Sequence, residues 1–384
     1  MIDKEKILQF SGLPNSRYPS NIIDSDKEIF DFHLNQTIPR MEIKSLNNVM
    51  VSSYGTIYKN FSILNECTPY YFDPEHEDIQ YLMEQHINAG GIFGGSIERF
   101  IRHFIVFRKT DVKETCFWCS DQYSYGYFHW LAETLPRIYL LTLLPFKNPK
   151  VVLPGPMMKD QPYIIESLNL LFPSIDFSFT QNQNMLKLKE LTWISRMGSL
   201  CQFNPLLMTS FREFIRGKIA IDDVVYPKKR LYISRRNSTL RKCSNEDEVE
   251  CLVKKFGFEI ICFEDYSFEE KIKICSQSEI AIGMHGAGLT HMIFLPDDSF
   301  ILDLRLRTPH NSCFFNLANA LNLNYYYLFC KYDSEEMDER EDNIELFSHI
   351  RELESHNPIL VDLSALEQVL DRMVTTCEAK KSNR

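Results

Sequence analysis

Between Arg230 and Phe329 short apolar runs alternate with amphipathic stretches, and that alternation constrains the fold more than any other feature of the chain. Arg230–Ser234 ("RLYIS"), Phe258–Phe263 ("FEIICF"), Ile280–Gly283, Phe300–Leu304 and Asn324–Phe329 read as strands. Helices are expected between them. One runs from Asn245 to Phe256, capped by Ser244 and stopped by Gly257. Another follows the S-x-x-E capping box of Ser267 and Glu270, a short one covers Leu289–Leu295, and the last covers Phe314–Leu321. Such β–α repetition predicts a doubly wound, mostly parallel sheet.

Inside this repeat "IAIGMHGAGLTHMIFLPDDSFILDL" crowds glycines around a histidine, in a chain with only 14 glycines. Met284–Gly288 is then a strand-to-helix loop. His285, Gly286, Ala287 and Gly288 put backbone N–H groups and a helix N-terminus at the carboxyl edge of a strand, a geometry suited to an anion. The spacing is G-x-x-G-x-G, not G-x-G-x-x-G, which argues against a dinucleotide site.

The first 200 or so residues are less regular. Strands are expected at Val49–Ser53, His103–Arg108 and Lys150–Leu153, and helices at Glu77–His86, Phe128–Leu144 and Gln161–Leu171. Pro205–Pro227 holds a helix and then "IDDVVYPKK", a plausible interdomain connection. Asp333–Asn343 is an acidic run expected to be a solvated loop, and Ala365–Thr376 an amphipathic helix. The expected domains are 1–217, 218–340 and a helical segment 341–384 packing back across them.

Composition narrows the function. A net charge of −10 argues against a general nucleic-acid binder. The 11 cysteines are scattered, and the lone C-x-x-C of Cys116 and Cys119 lacks a second ligand pair, so reduced thiols are expected. The N-terminus has no signal-peptide h-region, and nowhere do about 18 apolar residues run together. Sequons at Asn35, Asn60 and Asn237 are taken as chance matches, which fits a cytoplasmic protein.

Three further stretches carry candidate chemistry. In "YGYFHWLAETLPRIYLL" a helix would align His129, Glu133 and Arg137 at i, i+4 and i+8, with Pro136 forcing a kink or restart. Two readings stand open: a surface salt-bridge ladder, or a partly buried polar stripe among aromatics. "KKRLYISRRNSTLRKCSNE" carries seven Lys or Arg residues in an acidic protein. Arg235 and Arg236 follow a strand at its carboxyl end and Arg241 precedes the next helix, where guanidinium groups suit phosphate oxygens. In "FEDYSF" Ser267 is most simply a helix cap, and Glu264 either holds a ribose hydroxyl or faces solvent. Asp24-Ser25-Asp26 is formally a D-x-D, of little weight as a metal site because it lies near the N-terminus.

"YFHWLAETLPR", "SRRNSTLRKCSNE" and "IAIGMHGAGLTHMIFLPDDSFILDL", in that order and spacing, resemble glycosyltransferase family 61, of the kind found in bacterial capsule and other polysaccharide clusters. The resemblance runs from about Gly126 to Leu304. It implies an α/β, GT-B-like architecture, two Rossmann-like domains facing a central cleft. It also implies an inverting, metal-independent transfer of sugar from a nucleotide sugar, UDP-linked by preference, to a glycan or lipid-linked glycan hydroxyl in surface polysaccharide assembly. No cofactor beyond that co-substrate is expected. The donor side would comprise Arg235, Arg236, Arg241, Glu264, Ser267 and His285–Gly288. His129 is the leading general base, with Glu133 orienting it or serving as the base itself. Two positions depart from the family pattern: His291 where asparagine is common, and Lys271 where glutamine is. A pyruvyl transferase on the same architecture and a catalytically silent glycan-binding member are the alternatives. The expected location is cytoplasmic, at most peripherally associated with the inner face of a membrane.

Overall fold

A computed structural model describes residues 4–13, 16–64, 67, 101–121, 123–199, 201–219, 229–238, 240–307, 312–333 and 357–382. The expected helix Glu77–His86, the connection 220–228 and residues 334–343 of the acidic run lie outside the described residues. The fold is mixed α/β with two separate sheets. The chain groups into two compact units, Met1–Gly12 with Thr37–Phe211, and Leu13–Gln36 with Arg212–Arg384.

The sheet of the first unit contains β1 (Ile43–Ser52), β2 (Ile57–Lys59), β3 (Ser62–Ile63), β4 (Arg108–Val112), β5 (Cys116–Trp118), β6 (Lys150–Leu153), β7 (Asp176–Phe179) and β8 (Asn184–Ile194). Its order is β3-β2-β1-β8-β5-β6-β7, with β4 also pairing β8. The β8-β5-β6-β7 side is parallel, whereas β1 runs antiparallel to β8 along nearly its whole length. Val49, Val51, Trp118, Val152, Leu188, Leu191 and Trp193 form a core on this sheet.

Two expectations need correction here. The stretch His103–Arg108 is not a strand: Ile101–Val106 is a π-helical turn, and the strand begins at Arg108. A short apolar run does not distinguish strand from helix by periodicity alone. The expected helix Phe128–Leu144 is broken into an α turn (Tyr127–His129), a π turn (Trp130–Thr134) and an α-helix (Leu135–Leu143). Pro136 sits in the first turn of that last helix, where its missing N–H costs no intrahelical bond. The wider π turn upstream absorbs the mismatch that a continuous α-helix through a proline would create.

The sheet of the second unit contains β9 (Lys229–Ile233), β10 (Glu259–Ile261), β11 (Ser278–Met284), β12 (Phe300–Leu306), β13 (Asn324–Tyr332) and β14 (Ile359–Leu360), in the order β10-β9-β11-β12-β13-β14. All pairs are parallel except β13–β14. The chain passes from β9 outward to β10, then crosses to β11 on the other side of β9. That reversal makes the carboxyl ends of β9 and β11 the topological switch point, where open α/β sheets bind ligands.

Local chemistry sets the helix ends. Gly257, at φ +78, closes the helix Glu246–Lys255: its N–H donates to Lys254 O and that of Phe258 donates to Val253 O, the paired bonds of a Schellman ending. The start differs from expectation: Asn245, not Ser244, occupies the cap position, and its side chain bonds the Val361 backbone instead of the helix. Ser267 and Glu270 do form the reciprocal capping box of the helix Phe268–Ser276. After β11 the helix is 3-10, over Ala287–Phe294. The C-terminal helix Leu363–Ser382 buries Leu366, Leu370, Met373 and Cys377, one apolar stripe, in the core of this unit. Phe30 of the segment Leu13–Gln36 packs on Phe315, Tyr325 and Tyr327, while Asp26 accepts from Arg307 (2.7 Å) and Tyr327 (2.5 Å). Asp26 of the D-x-D thus serves as an anchor on β13, and Asp24 pairs with Lys27.

Candidate active site

The glycines of the loop after β11 do different jobs. A Cβ on Gly283 would meet Leu289 and Ile233 at 3.2 and 3.3 Å, and one on Gly288 would meet Ile233 at 3.1 Å, so these two let the loop close on β9. A Cβ on Gly286 would instead meet Nη1 of Arg241 at 3.4 Å and Nη1 of Arg235 at 3.5 Å. The two guanidinium groups therefore converge on the Gly286 backbone, at the switch point of the sheet.

Each arginine is placed by the turn after β9. Arg235 N–H donates to Glu246 (2.7 Å), and its Nη2 donates to Ser238 Oγ and Leu240 O, both at 2.8 Å. Arg241 adopts φ +54, a left-handed conformation uncommon for a side-chain-bearing residue, and its Nη1 donates to His285 O at 3.4 Å. Burial, and next the charge of Arg241, pull the Arg235 guanidinium below its usual pKa. Its Nε is buried without a hydrogen-bond partner. Two like charges held together around an unsatisfied donor are relieved by an anion.

A third cation stands in the same loop. His285 Nδ1 bonds Asp303 Oδ2 at 2.8 Å, and its Nε2 lies 3.9 Å from Cys313 Sγ. Burial disfavours the charged ring, but the Asp303 carboxylate outweighs it and the pKa rises to about 10. Burial acts on Asp303 in the opposite sense, and the His285 charge holds its carboxyl below the usual range. Tyr325 OH donates to the same Asp303 oxygen at 2.8 Å. The first N–H groups of the following 3-10 helix, at Ala287 and Gly288, have no acceptor within that helix.

The other expected donor-side residues divide. Glu264 is exposed on a 3-10 turn, and its charge acts on Arg235. Ser267 is committed to its capping box: its hydroxyl accepts from Glu270 N and donates to Glu270 Oε2. Arg236 pairs with Asp247 (2.7 Å) and Glu250 (3.0 Å), a different set of partners from those of Arg235. His291 is buried, with Nδ1 at 2.7 Å from Gly288 O and its ring 4.0 Å from Phe263. Burial lowers its pKa to about 3, so it is a neutral packing residue under the loop.

In the first unit the stripe His129, Glu133, Arg137 is buried, not a surface ladder. His129 Nδ1 bonds Glu133 Oε2 at 2.7 Å, and the His129 ring stacks on Tyr123 at 5.0 Å and 27°. Glu133 Oε1 pairs with Arg196 Nη2 and accepts from Cys201 N at 3.2 Å. Arg196 Nη1 (2.5 Å) and Arg137 Nη2 (2.9 Å) both donate to Asp121 Oδ2. Glu133, Arg137, Arg196 and Asp121 have side chains 2–6% exposed, against 12% for His129, so the imidazole is the accessible end of the network. Burial opposes the charge on Glu133, but Arg196 and then His129 hold its carboxyl far below the usual range. A carboxylate held ionised so firmly is a poor base and a good acceptor for Nδ1–H. That bond leaves Nε2 as the ring nitrogen able to take a proton.

Asp121, Arg196 and Asp303 were not among the sequence candidates. Arg196 follows the apolar end of β8, the same position on its strand that singles out Arg235 on β9, and Asp303 is an acid inside the apolar run "FILDL". Asp121 carries no comparable signal. Cys116 and Cys119 are buried; burial pushes the Cys119 thiol up to about 12, far from nucleophilic use. Among the described residues no group of three or more His, Cys, Asp or Glu gathers as a metal site, and no helix is long and apolar enough to cross a membrane.

The family model described as Glycosyltransferase 61 matches residues 127–302, a stretch that includes His129, Glu133, Arg137 and Arg196 as well as the loop at His285. The chain is also similar to proteins named EGF domain-specific O-linked N-acetylglucosamine transferase. That of Drosophila melanogaster is 32% identical over 128 residues, covering 32% of this chain and 24% of the relative. Those of Gallus gallus (34% over 103 residues) and Xenopus laevis (36% over 106 residues) each cover 26% of this chain and 19% of the relative. The matched stretches thus span a quarter or less of these relatives' length.

Proposed function

We propose that this protein is an inverting glycosyltransferase that moves a sugar from a nucleotide sugar to a glycan hydroxyl without a metal ion. The observation that carries it is the convergence of Arg235 and Arg241 on Gly286 beside the His285 imidazolium. A departing nucleoside diphosphate accumulates negative charge, and fixed cations with backbone donors stabilise it where other enzymes use a metal. Glu264, exposed and with its charge acting on Arg235, would accept from a ribose hydroxyl of the donor.

His129 supplies the base. Its Nε2 takes the proton of the acceptor hydroxyl while that oxygen bonds the anomeric carbon, and the bond from that carbon to the phosphate oxygen breaks. The electron pair leaves with the diphosphate. Attack opposite the leaving group inverts the anomeric centre. Glu133 orients the ring and offsets the imidazolium charge that forms.

The relatives' names speak of N-acetylglucosamine, which makes UDP-N-acetylglucosamine the first donor to test. The reading includes a glycan or lipid-linked glycan acceptor in cytoplasmic assembly of a surface polysaccharide, the setting the family resemblance implies. The test is release of UDP from that donor in EDTA, with and without a panel of hydroxyl-bearing glycans. The wild-type chain is expected to release UDP, and His129→Ala to lose about 10²- to 10⁴-fold. Full turnover in His129→Ala removes the base assignment, and release only after a divalent metal is restored removes the metal-independent mechanism.

A further inference from the structure

We propose that Asp121 and Arg196 are positioning residues that fix His129 as a base, by pinning the Glu133 carboxylate against Nδ1 and the Tyr123 ring against the imidazole face. The proposal rests on the reading of His129 as the base. Two distinct restraints on the ring trace back to Asp121. Its Oδ2 takes Arg196 and Arg137, and Arg196 in turn holds Glu133 Oε1, leaving Oε2 for His129. Its Oδ1 accepts from Tyr123 N (3.0 Å) and Ser124 Oγ (3.4 Å), which sets the turn that presents the Tyr123 ring for stacking.

Fold stability alone does not account for this arrangement. Buried ion pairs commonly contribute less than well-packed apolar side chains of the same volume. Here four charges are buried in one network, two acids against two guanidinium groups, so it is neutral as a set. Its one half-open edge is the imidazole. Arg137 Nε also donates to Glu133 O at 2.9 Å, which ties the network across the π turn, a deformation often found at functional sites. The charged or titratable groups around the ring are Glu133 and Arg137 on its own helix, and Cys119, Asp121 and Tyr123 from the end of β5 and the turn after it. Arg196 and Cys201 come from the segment after β8.

The charge balance yields a test with opposite signs. Asp121→Asn leaves the guanidinium charges in excess and disfavours the imidazolium. Arg196→Gln leaves an acid in excess and favours it. The acid limb of kcat/KM is therefore expected to move to lower pH in Asp121→Asn and to higher pH in Arg196→Gln, each by about one unit. KM for the donor stays within about twofold, since its cations lie in the other unit. A purely structural role moves both variants the same way, or lowers kcat with no shift of the limb; either result overturns the proposal. Should either variant fail to fold, ¹⁵N NMR of the His129 ring in the wild-type chain still decides. The neutral ring is expected as the Nδ1–H tautomer, and an Nε2–H ring would overturn the proposal. If His129→Ala keeps its turnover, the base reading fails on its own, while the tautomer still reports on the positioning.

Discussion

Gly286 lies beneath Arg235: a methyl group there would stand 3.5 Å from the arginine Nη1, an ordinary contact, and its backbone is extended, so a side chain causes no strain. In the proposed donor site, a methyl would occupy the space in which a phosphate oxygen meets the loop. Gly286→Ala is therefore expected to melt within about 2 °C of wild type yet bind UDP at least about tenfold more weakly, a loss of about 1.4 kcal/mol. A melting curve and a titration on the same sample check both halves.

Neighbouring arginines should separate sharply. Arg235→Ala and Arg241→Ala each remove a charged donor of the proposed diphosphate site and are expected to weaken UDP binding about 10- to 100-fold, from about 1.5–3 kcal/mol per charge-assisted bond. Arg236→Ala loses exposed pairs with Asp247 and Glu250 and should change affinity less than about twofold. Calorimetric titration of the three variants ranks them; an Arg236 effect as large as that of Arg235 would contradict the assignment.

The His285–Asp303 pair sets a pH dependence. Folding raises the histidine pKa from 6.5 to about 10, so its contribution to stability is full below about pH 6.5 and is lost as pH rises toward 10. The loss of the ring's charge should weaken UDP binding in the same upper part of that window. Urea unfolding from pH 6 to 10 should show the wild-type chain losing stability, and His285→Gln should flatten that slope.

Gly155 tests the first unit. A Cβ there would fall 1.8 Å from Thr180 O, a backbone atom that cannot turn aside, and the Gly155 N–H holds the two segments together by donating to Thr180 Oγ1 at 2.9 Å. Gly155→Ala is expected to destabilise by about 1–3 kcal/mol or more, read from its denaturant midpoint.

The second unit is legible in the sequence because local signals decide it. Parallel strands buried on both faces read as apolar runs, Gly257 can take the left-handed φ of a helix ending, and Ser267 with Glu270 satisfies helix donors within four residues. Arg235 and the loop at His285 stand out by their place at strand ends, and Arg241 by its place before the next helix. Ser244 illustrates a limit: a good capping residue lost the position to Asn245 because the chain there bonds β14 instead.

The first unit was harder to read, for physical reasons. Its sheet is mixed, so neighbours in space, such as β1 and β8, lie far apart in sequence. The network behind His129 is assembled in part the same way: Arg196, which follows β8, reaches Asp121 and Glu133 where β8 pairs with β5. Helical spacing aligns His129, Glu133 and Arg137, but spacing is silent on burial, and burial turns a salt-bridge ladder into an oriented imidazole.

The most direct test of the central claim is a calorimetric titration of UDP into the wild-type chain in EDTA. Saturable one-to-one binding, abolished in an Arg235→Ala/Arg241→Ala double variant that still folds, is the predicted result. Binding that survives both substitutions, or that appears only when a divalent metal is added, would contradict it.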